Sequence, residues 1–213
     1  MKRGSRTPWK KSRTYGDVYG GRSRRRMSDN IFARAHSLQR PSPDQALPIL
    51  IQDNPSRDFA FPVSADDFAQ ALQNLPESHR RGITHIWLRR APMRTRKLDT
   101  PLAEFVCGSG VRVIVIYPWP TDGRMYIGHN KRLPQAIAQY LRFGASISCA
   151  NRKWFVQFSE PNLKRFYVEH LFCHEVGHHV DWYNRNWSKA NARQTEEFAD
   201  QYAVKWGACA NIL

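Results

Sequence analysis

His174-Glu175-Val176-Gly177-His178 is the stretch that decides the reading of this chain, together with Thr195-Glu196-Glu197-Phe198-Ala199-Asp200 a short way downstream. Residues four apart on a helix lie one turn above each other, so His174 and His178 can aim two imidazoles at one point. Glu175 follows at about 100° round the helix, beside that point rather than on it. Two imidazoles as metal donors and a neighbouring carboxylate in this order are the mark of a hydrolytic zinc site, with Glu175 placed to take a proton from a metal-bound water.

A catalytic zinc ion needs a third protein ligand and one open position. His179 is the last histidine of the chain, so the third ligand has to be a carboxylate. Asp181 lies seven residues beyond His174, about 10 Å along the axis and too far to share a metal easily. Glu196, Glu197 and Asp200 remain, on a segment whose spacing suits a second helix.

The combination of HExxH with a later E-x-x-A-D resembles the gluzincin metallopeptidases. The wording HEVGHHVDWY and EEFADQYA is also similar to lethal-factor-type peptidases and, more loosely, to ImmA/IrrE-type peptidases. The likeness covers about the last 45 residues of the chain. It implies zinc held by His174, His178 and Glu196, with Glu175 as the catalytic base and Asp200 orienting His174. The last role has a physical basis, because ligating imidazoles usually donate their other N–H to a carboxylate. One helix position of phase error would exchange Glu196 for Glu197. The resemblance further implies an α+β fold: a minimal zincin-like domain of a helix, a small mixed sheet, the HExxH helix and a Glu-bearing C-terminal helix. Its function would be that of a zinc metallopeptidase acting on a protein or peptide substrate.

Plainer readings compete at each position. His174 and His178 can be ordinary half-buried histidines with Glu175 a solvated helix residue, or a metal can staple two helices without chemistry. The motif in helical context, followed by E-x-x-A-D and free of helix breakers, outweighs both. His170 stands one turn before His174 but has no adjacent glutamate, and reads as a satisfied helix histidine. Cys173 reads as a small packing residue. Tyr126, His129 and Tyr202 are candidates to meet the charge that develops on a scissile carbonyl.

The 213 residues, 41% hydrophobic and 12% aromatic, suffice for one sizeable core. The net charge of +15 is concentrated at the start, where residues 1–30 carry ten Lys/Arg against Asp17 and Asp29. An arm so rich in Arg, Ser and Gly cannot bury enough apolar surface to fold alone, and is expected to stay disordered until it meets an anionic partner. Nucleic acid is the natural one. This supports an alternative function, a nucleic-acid-associated or structural protein whose zinc site is catalytically silent. Solubilising and targeting roles compete for the same arm.

No apolar run has the length of a signal sequence or a membrane span. Cys107, Cys149, Cys173 and Cys209 form no C-x-x-C pair, which fits free thiols in the cytoplasm or another reducing compartment. The sequence does not fix an oligomeric state.

Five prolines in residues 31–62 predict an irregular connection, leaving 63–213 as the folded domain. Ser64 caps a predicted amphipathic helix running to Leu75, with Phe68, Leu72 and Leu75 on one face. Ile83–Leu88, Val111–Tyr117 and a short piece at Met125–Ile127 read as strands, and Leu133–Phe143 as a helix. Ala145–Cys149 and Lys153–Phe158 read as a hairpin about Asn151. Pro161 suits the first turn of a long helix that reaches about Asn184. A loop at Arg185–Asn191 leads to the helix bearing Glu196.

Overall fold

The computed structural model describes residues 38–90, 101–108, 110–128, 137–184 and 189–212, with Val18–Tyr19 and Arg22–Ser23. Those two short pieces pair antiparallel. The rest of the basic arm lies outside the described residues, as do residues 133–136 of the helix expected from Leu133 to Phe143.

A four-stranded mixed sheet forms the framework. Its strands are β1 (Ile49–Gln52), β3 (His85–Leu88), β5 (Val111–Ile116) and β4 (Ala103–Gly108), in that spatial order. β1 and β3 pair parallel, as do β3 and β5, while β4 runs antiparallel to β5 at the edge. Between β1 and β3 in sequence comes β2 (Phe59–Ala60), which pairs with β6 (Trp119–Pro120). Every second residue of β5 serves one face: Ile114 and Ile116 join the main core, whereas Val111, Val113 and Val115 form a second cluster with Tyr117. A strand covered on both sides must be apolar throughout, which explains the unbroken run Val113–Ile116.

The expected irregular connection over residues 31–62 is corrected by β1 and β2. Ile49-Leu50-Ile51 is an apolar triplet with two β-branched residues, and prolines stand on either side of it. The triplet supplies a sheet edge while the prolines shape its borders.

Helix α1 (Ala65–Gln73) begins as the sequence predicts. Asp67 N–H donates to Ser64 Oγ and Ser64 N–H to Asp67 Oδ2, each at 3.1 Å, closing a capping box. Its buried face carries Phe68 and Leu72 into the core, with Leu75 just beyond its end. The short α2 (Glu77–Arg80) then leads into β3.

A second, antiparallel sheet has the order β8 (Ser146–Ala150), β9 (Lys153–Gln157), β7 (Arg124–Gly128). Asn151 and Arg152 turn the β8–β9 hairpin with φ of 51° and 62°. This two-residue turn with both φ positive matches the natural twist of the strands it joins, and Asn tolerates that conformation well. Helix α3 (Ile137–Arg142) precedes the hairpin.

The predicted long helix exists with a change of pitch inside it. α4 (Glu160–Arg165) widens into a π-helical segment, Phe166–Phe172, and tightens again into α5 (Cys173–Asn184), which carries the HExxH residues. Phe166, Tyr167, Val168 and Phe172 are all buried in the π segment, and Phe166 stacks on Phe158 at 5.2 Å between ring centroids. A 3₁₀ turn (Lys189–Asn191) opens α6 (Ala192–Ala210). The fold is α+β, and among the described residues no helix is long and apolar enough to cross a membrane.

Candidate metal centre

The site is made where α5 and α6 cross. Gly177 stands at the crossing: a Cβ there would lie 2.9 Å from Ala199 Cα and 2.9 Å from Tyr202 Cβ. Only a residue without a side chain lets the α6 backbone come this close. Glu196 and Asp200, one turn apart, share the face of α6 that the contact turns toward α5. Thus the Gly inside the motif and the Ala of E-x-x-A-D set the separation of the two helices.

That approach brings the donors together. Glu196 Oε2 lies 3.4 Å from His174 Nε2, and Glu196 Oε1 lies 3.7 Å from His178 Nε2. On the other edge of the first imidazole, His174 Nδ1 meets Asp200 Oδ1 at 2.9 Å. The two imidazole rings stand almost perpendicular, with centroids 4.6 Å apart. The side chains of His174 and His178 are 17% and 10% exposed, whereas Glu196 is 63% exposed, so the carboxylate enters from the solvent side. Glu197 is engaged elsewhere, 3.0 Å from Arg193 Nε one turn earlier.

His174, Glu175 and His178 each offer a ligand atom, all within 4.8 Å of one another, and this group could hold a metal ion. Glu175 differs from Glu196 in setting, since it is buried and accepts a hydrogen bond from the backbone N–H of Phe105 on β4. The edge strand therefore fixes the carboxylate that the helix provides.

Electrostatics follow from this arrangement. Burial pushes the Glu175 carboxyl up to about 7, with the His174 charge and the Phe105 N–H opposing the rise. For His174, burial disfavours the imidazolium, but hydrogen bonds to Asp200 and Glu196 outweigh it and raise the group to about 10. His178 is lowered to about 4, by burial first and by the neighbouring His174 charge second. The pair of acids thus creates a site that favours a cation on the Nε2 side of His174.

The remaining residues singled out from sequence have structural partners. His170 Nε2 donates to Gln139 Oε1 at 3.2 Å, and its ring lies among Phe143, Phe166 and His174. Cys173 is buried, and burial pushes its thiol up to about 12. Asp181 is fully buried, and its charge acts on His178. His179 Nε2 donates to the Arg81 carbonyl at 3.1 Å, tying α5 to the turn before β3. Of the candidates for a developing oxyanion, Tyr202 is buried with its hydroxyl 2.9 Å from His79 Nδ1. Tyr126 packs on Phe155 in the second sheet, and His129 lies outside the described residues.

Two contributors to the site carry no motif signal. The Phe105 N–H is one, and the alternation of buried and half-buried residues in Ala103–Gly108 is the pattern that marks its strand. Gly177 is the other, a glycine inside a helix, where a packing reason is to be sought. No protein-family description, curated protein or solved structure matches the chain.

Proposed function

We propose that the chain is a zinc-dependent metallopeptidase with a zincin-like catalytic domain, in which His174, His178 and Glu196 hold the metal. The observation that carries this reading is the donor spacing. Two donors bound at about 2.0–2.1 Å to a tetrahedral zinc stand roughly 3.4 Å apart. The Glu196 oxygens lie 3.4 and 3.7 Å from the two Nε2 atoms, so a small shift would seat one ion among all three. A set of two imidazoles and one carboxylate is that of several catalytic zinc enzymes and leaves the fourth position free. When bound, zinc supplies Lewis acidity: it acidifies a coordinated water and polarises a substrate carbonyl.

The chain's own residues do the rest. Asp200 holds His174 Nδ1–H, fixing the tautomer and leaving Nε2 as the donor toward the metal. Glu175, with its carboxyl raised to about 7, sits in the range where a carboxylate can take a proton at neutral pH and return it to a leaving amine. Phe105 N–H keeps that carboxylate in one orientation. β4 is the edge of its sheet, and an extended peptide laid along it as an added strand would pass the Glu175 carboxylate.

Ten Lys/Arg within residues 1–30 favour a second, compatible role in binding nucleic acid. The two roles separate in one comparison. Full-length protein purified beside His178→Ala is analysed for metal, then offered a peptide library after zinc loading. Wild type is expected to hold one zinc and cut peptides, and the variant to do neither. Metal-loaded wild type that leaves every peptide intact would remove the hydrolytic reading and keep the nucleic-acid one.

A further inference from the structure

A cavity of about 530 Å³ opens at the end of β4, and among the described residues that line it there are two arginines, Arg40 and Arg112, and no carboxylate. Its size falls in the range of ligand-binding clefts. Both arginines are seated on glycines. The stem of Arg40 lies where a Cβ at Gly110 would stand, 2.7 Å from Arg40 Cδ, and a Cβ at Gly82 would overlap Arg112 Nη1. Gly110 and Gly82 also have φ of +79° and +90°, a backbone that favours glycine.

Arg112 is held more closely still. Its backbone N–H donates to Thr84 Oγ1 at 2.7 Å, and Thr84 Oγ1 donates to its carbonyl at 2.8 Å. Its guanidinium lies over the Tyr183 ring, 4.6 Å from the centroid, and Nη1 donates to the Tyr183 hydroxyl. These partners are neutral, and among the described residues neither Arg40 nor Arg112 has a carboxylate in an ion pair. Two cations beside a cavity, with no counter-charge among the described residues of its lining, form a site for an anion.

The place of the cavity gives it a role. Glu175 on α5 accepts from Phe105 on β4, and Trp182 and Gly108, farther along the same two elements, both line the cavity. Seven residues of helix span about 10 Å. Three residues of strand span the same distance, roughly 10 Å. The two rulers agree that the cavity lies about 10 Å beyond Glu175, which an extended peptide covers in about three residues.

We infer that this cavity is a subsite for an acidic side chain of the peptide substrate, three residues from the bond beside Glu175, with Arg40 and Arg112 binding its carboxylate. The inference rests on the peptidase reading for its register, though not for the anion binding.

The test uses fluorescent decapeptides of neutral sequence with one Glu at successive positions, beside the same peptides with Gln. Anisotropy reads their binding to full-length, zinc-loaded Glu175→Gln protein, and mass spectrometry reads their cleavage by wild type. The expected result is binding about tenfold tighter for Glu than for Gln at one register, weakened by salt, and lost on Arg40→Gln in the Glu175→Gln background. Arg40 is exposed, so this variant keeps the fold; Arg112→Gln gives an independent second reading. Cleavage three residues from the preferred Glu completes the case. Glu-dependent binding without cleavage retains the acidic-peptide site and removes the peptidase reading. Cleavage that ignores the Glu, or a preference that survives Arg40→Gln, overturns the subsite.

Discussion

Asp200 Oδ1 lies 2.9 Å from His174 Nδ1, on the side of the ring opposite Glu196. The two acids of α6 thus hold one imidazole at both of its nitrogens, and they do different work. Removing the one that does not face the metal position tests the division. Asp200→Ala is expected to leave the fold intact and to weaken zinc binding by about 10–100-fold, the usual cost of losing such a partner. Competition with a chromogenic chelator measures it, and unchanged affinity would separate Asp200 from the site.

Gly177 governs whether the donors meet at all. Alanine is the better helix former by about 1 kcal/mol, but overpacking a tight contact costs about 1–3 kcal/mol. The obstacle here includes backbone, Ala199 Cα, which cannot swing aside. Gly177→Ala is expected to lower the melting temperature of the metal-free chain and to weaken zinc binding together. A variant that melts lower yet binds zinc as tightly as wild type would show that the crossing distance is not what assembles the site.

Much of this was legible in the sequence, for identifiable reasons. The capped helix at Ser64, the apolar strand Val111–Ile116, expected one residue longer, and the Asn151 hairpin are each specified by side chains within a few residues, and local chemistry survives folding. Spacing left Glu196, Glu197 and Asp200 open as partners of His174, and the E-x-x-A-D resemblance pointed to Glu196 and Asp200; the structure brings these two side chains within hydrogen-bonding or near-contact distance of His174. What the sequence hid is tertiary. β1 is four residues, three of them apolar, among prolines, too short for periodicity to separate from a loop, and it is a strand because β3 supplies its partners. The Phe105 N–H on Glu175 is a backbone group, so no residue type at position 105 announces it. The Arg40–Gly110 seating joins segments 70 residues apart, and neither carries a motif.

Metal loading should release a proton. In the metal-free chain the acids raise His174 to about 10, so the ring is protonated at neutral pH. A ligating imidazole must give up the proton on the coordinating nitrogen. Zinc affinity is therefore expected to increase with pH up to about 10, with close to one proton released per zinc bound at pH 7. Titration calorimetry in buffers of different ionisation enthalpy counts that proton directly. A heat independent of the buffer would place the metal on groups that are already deprotonated.

Glu175→Gln should separate chemistry from stability. The folded-state carboxyl at about 7 stands above its ordinary value of 4.5, so ionisation costs the metal-free fold. That cost is absent at low pH, grows as pH rises from about 4.5 to about 7, and is constant above, at a limiting value on the order of 3 kcal/mol. Glutamine never ionises. The variant is expected to retain zinc, to lose peptide hydrolysis by about 10²–10⁴-fold, and to be at least as stable as wild type at pH 8 without metal. Undiminished turnover would take the general-base role from Glu175, and a variant that fails to hold zinc would make it a ligand instead.

The charge of residues 1–30 makes a prediction independent of the metal. Eight net positive charges in thirty residues can neutralise several phosphates, and each neutralised phosphate releases counterions whose entropy depends on bulk salt. If about 6–10 phosphates are contacted, affinity for duplex DNA falls by about 10³–10⁵ between 50 and 200 mM salt. Deleting residues 1–30 should flatten that slope and leave zinc content unchanged, because every proposed ligand lies beyond residue 173. The comparison is made on one oligonucleotide of mixed sequence, since phosphate contacts do not discriminate among bases. A truncated chain that binds DNA with the original slope would move the electrostatic surface onto the folded domain, which retains the other +7 of the net charge.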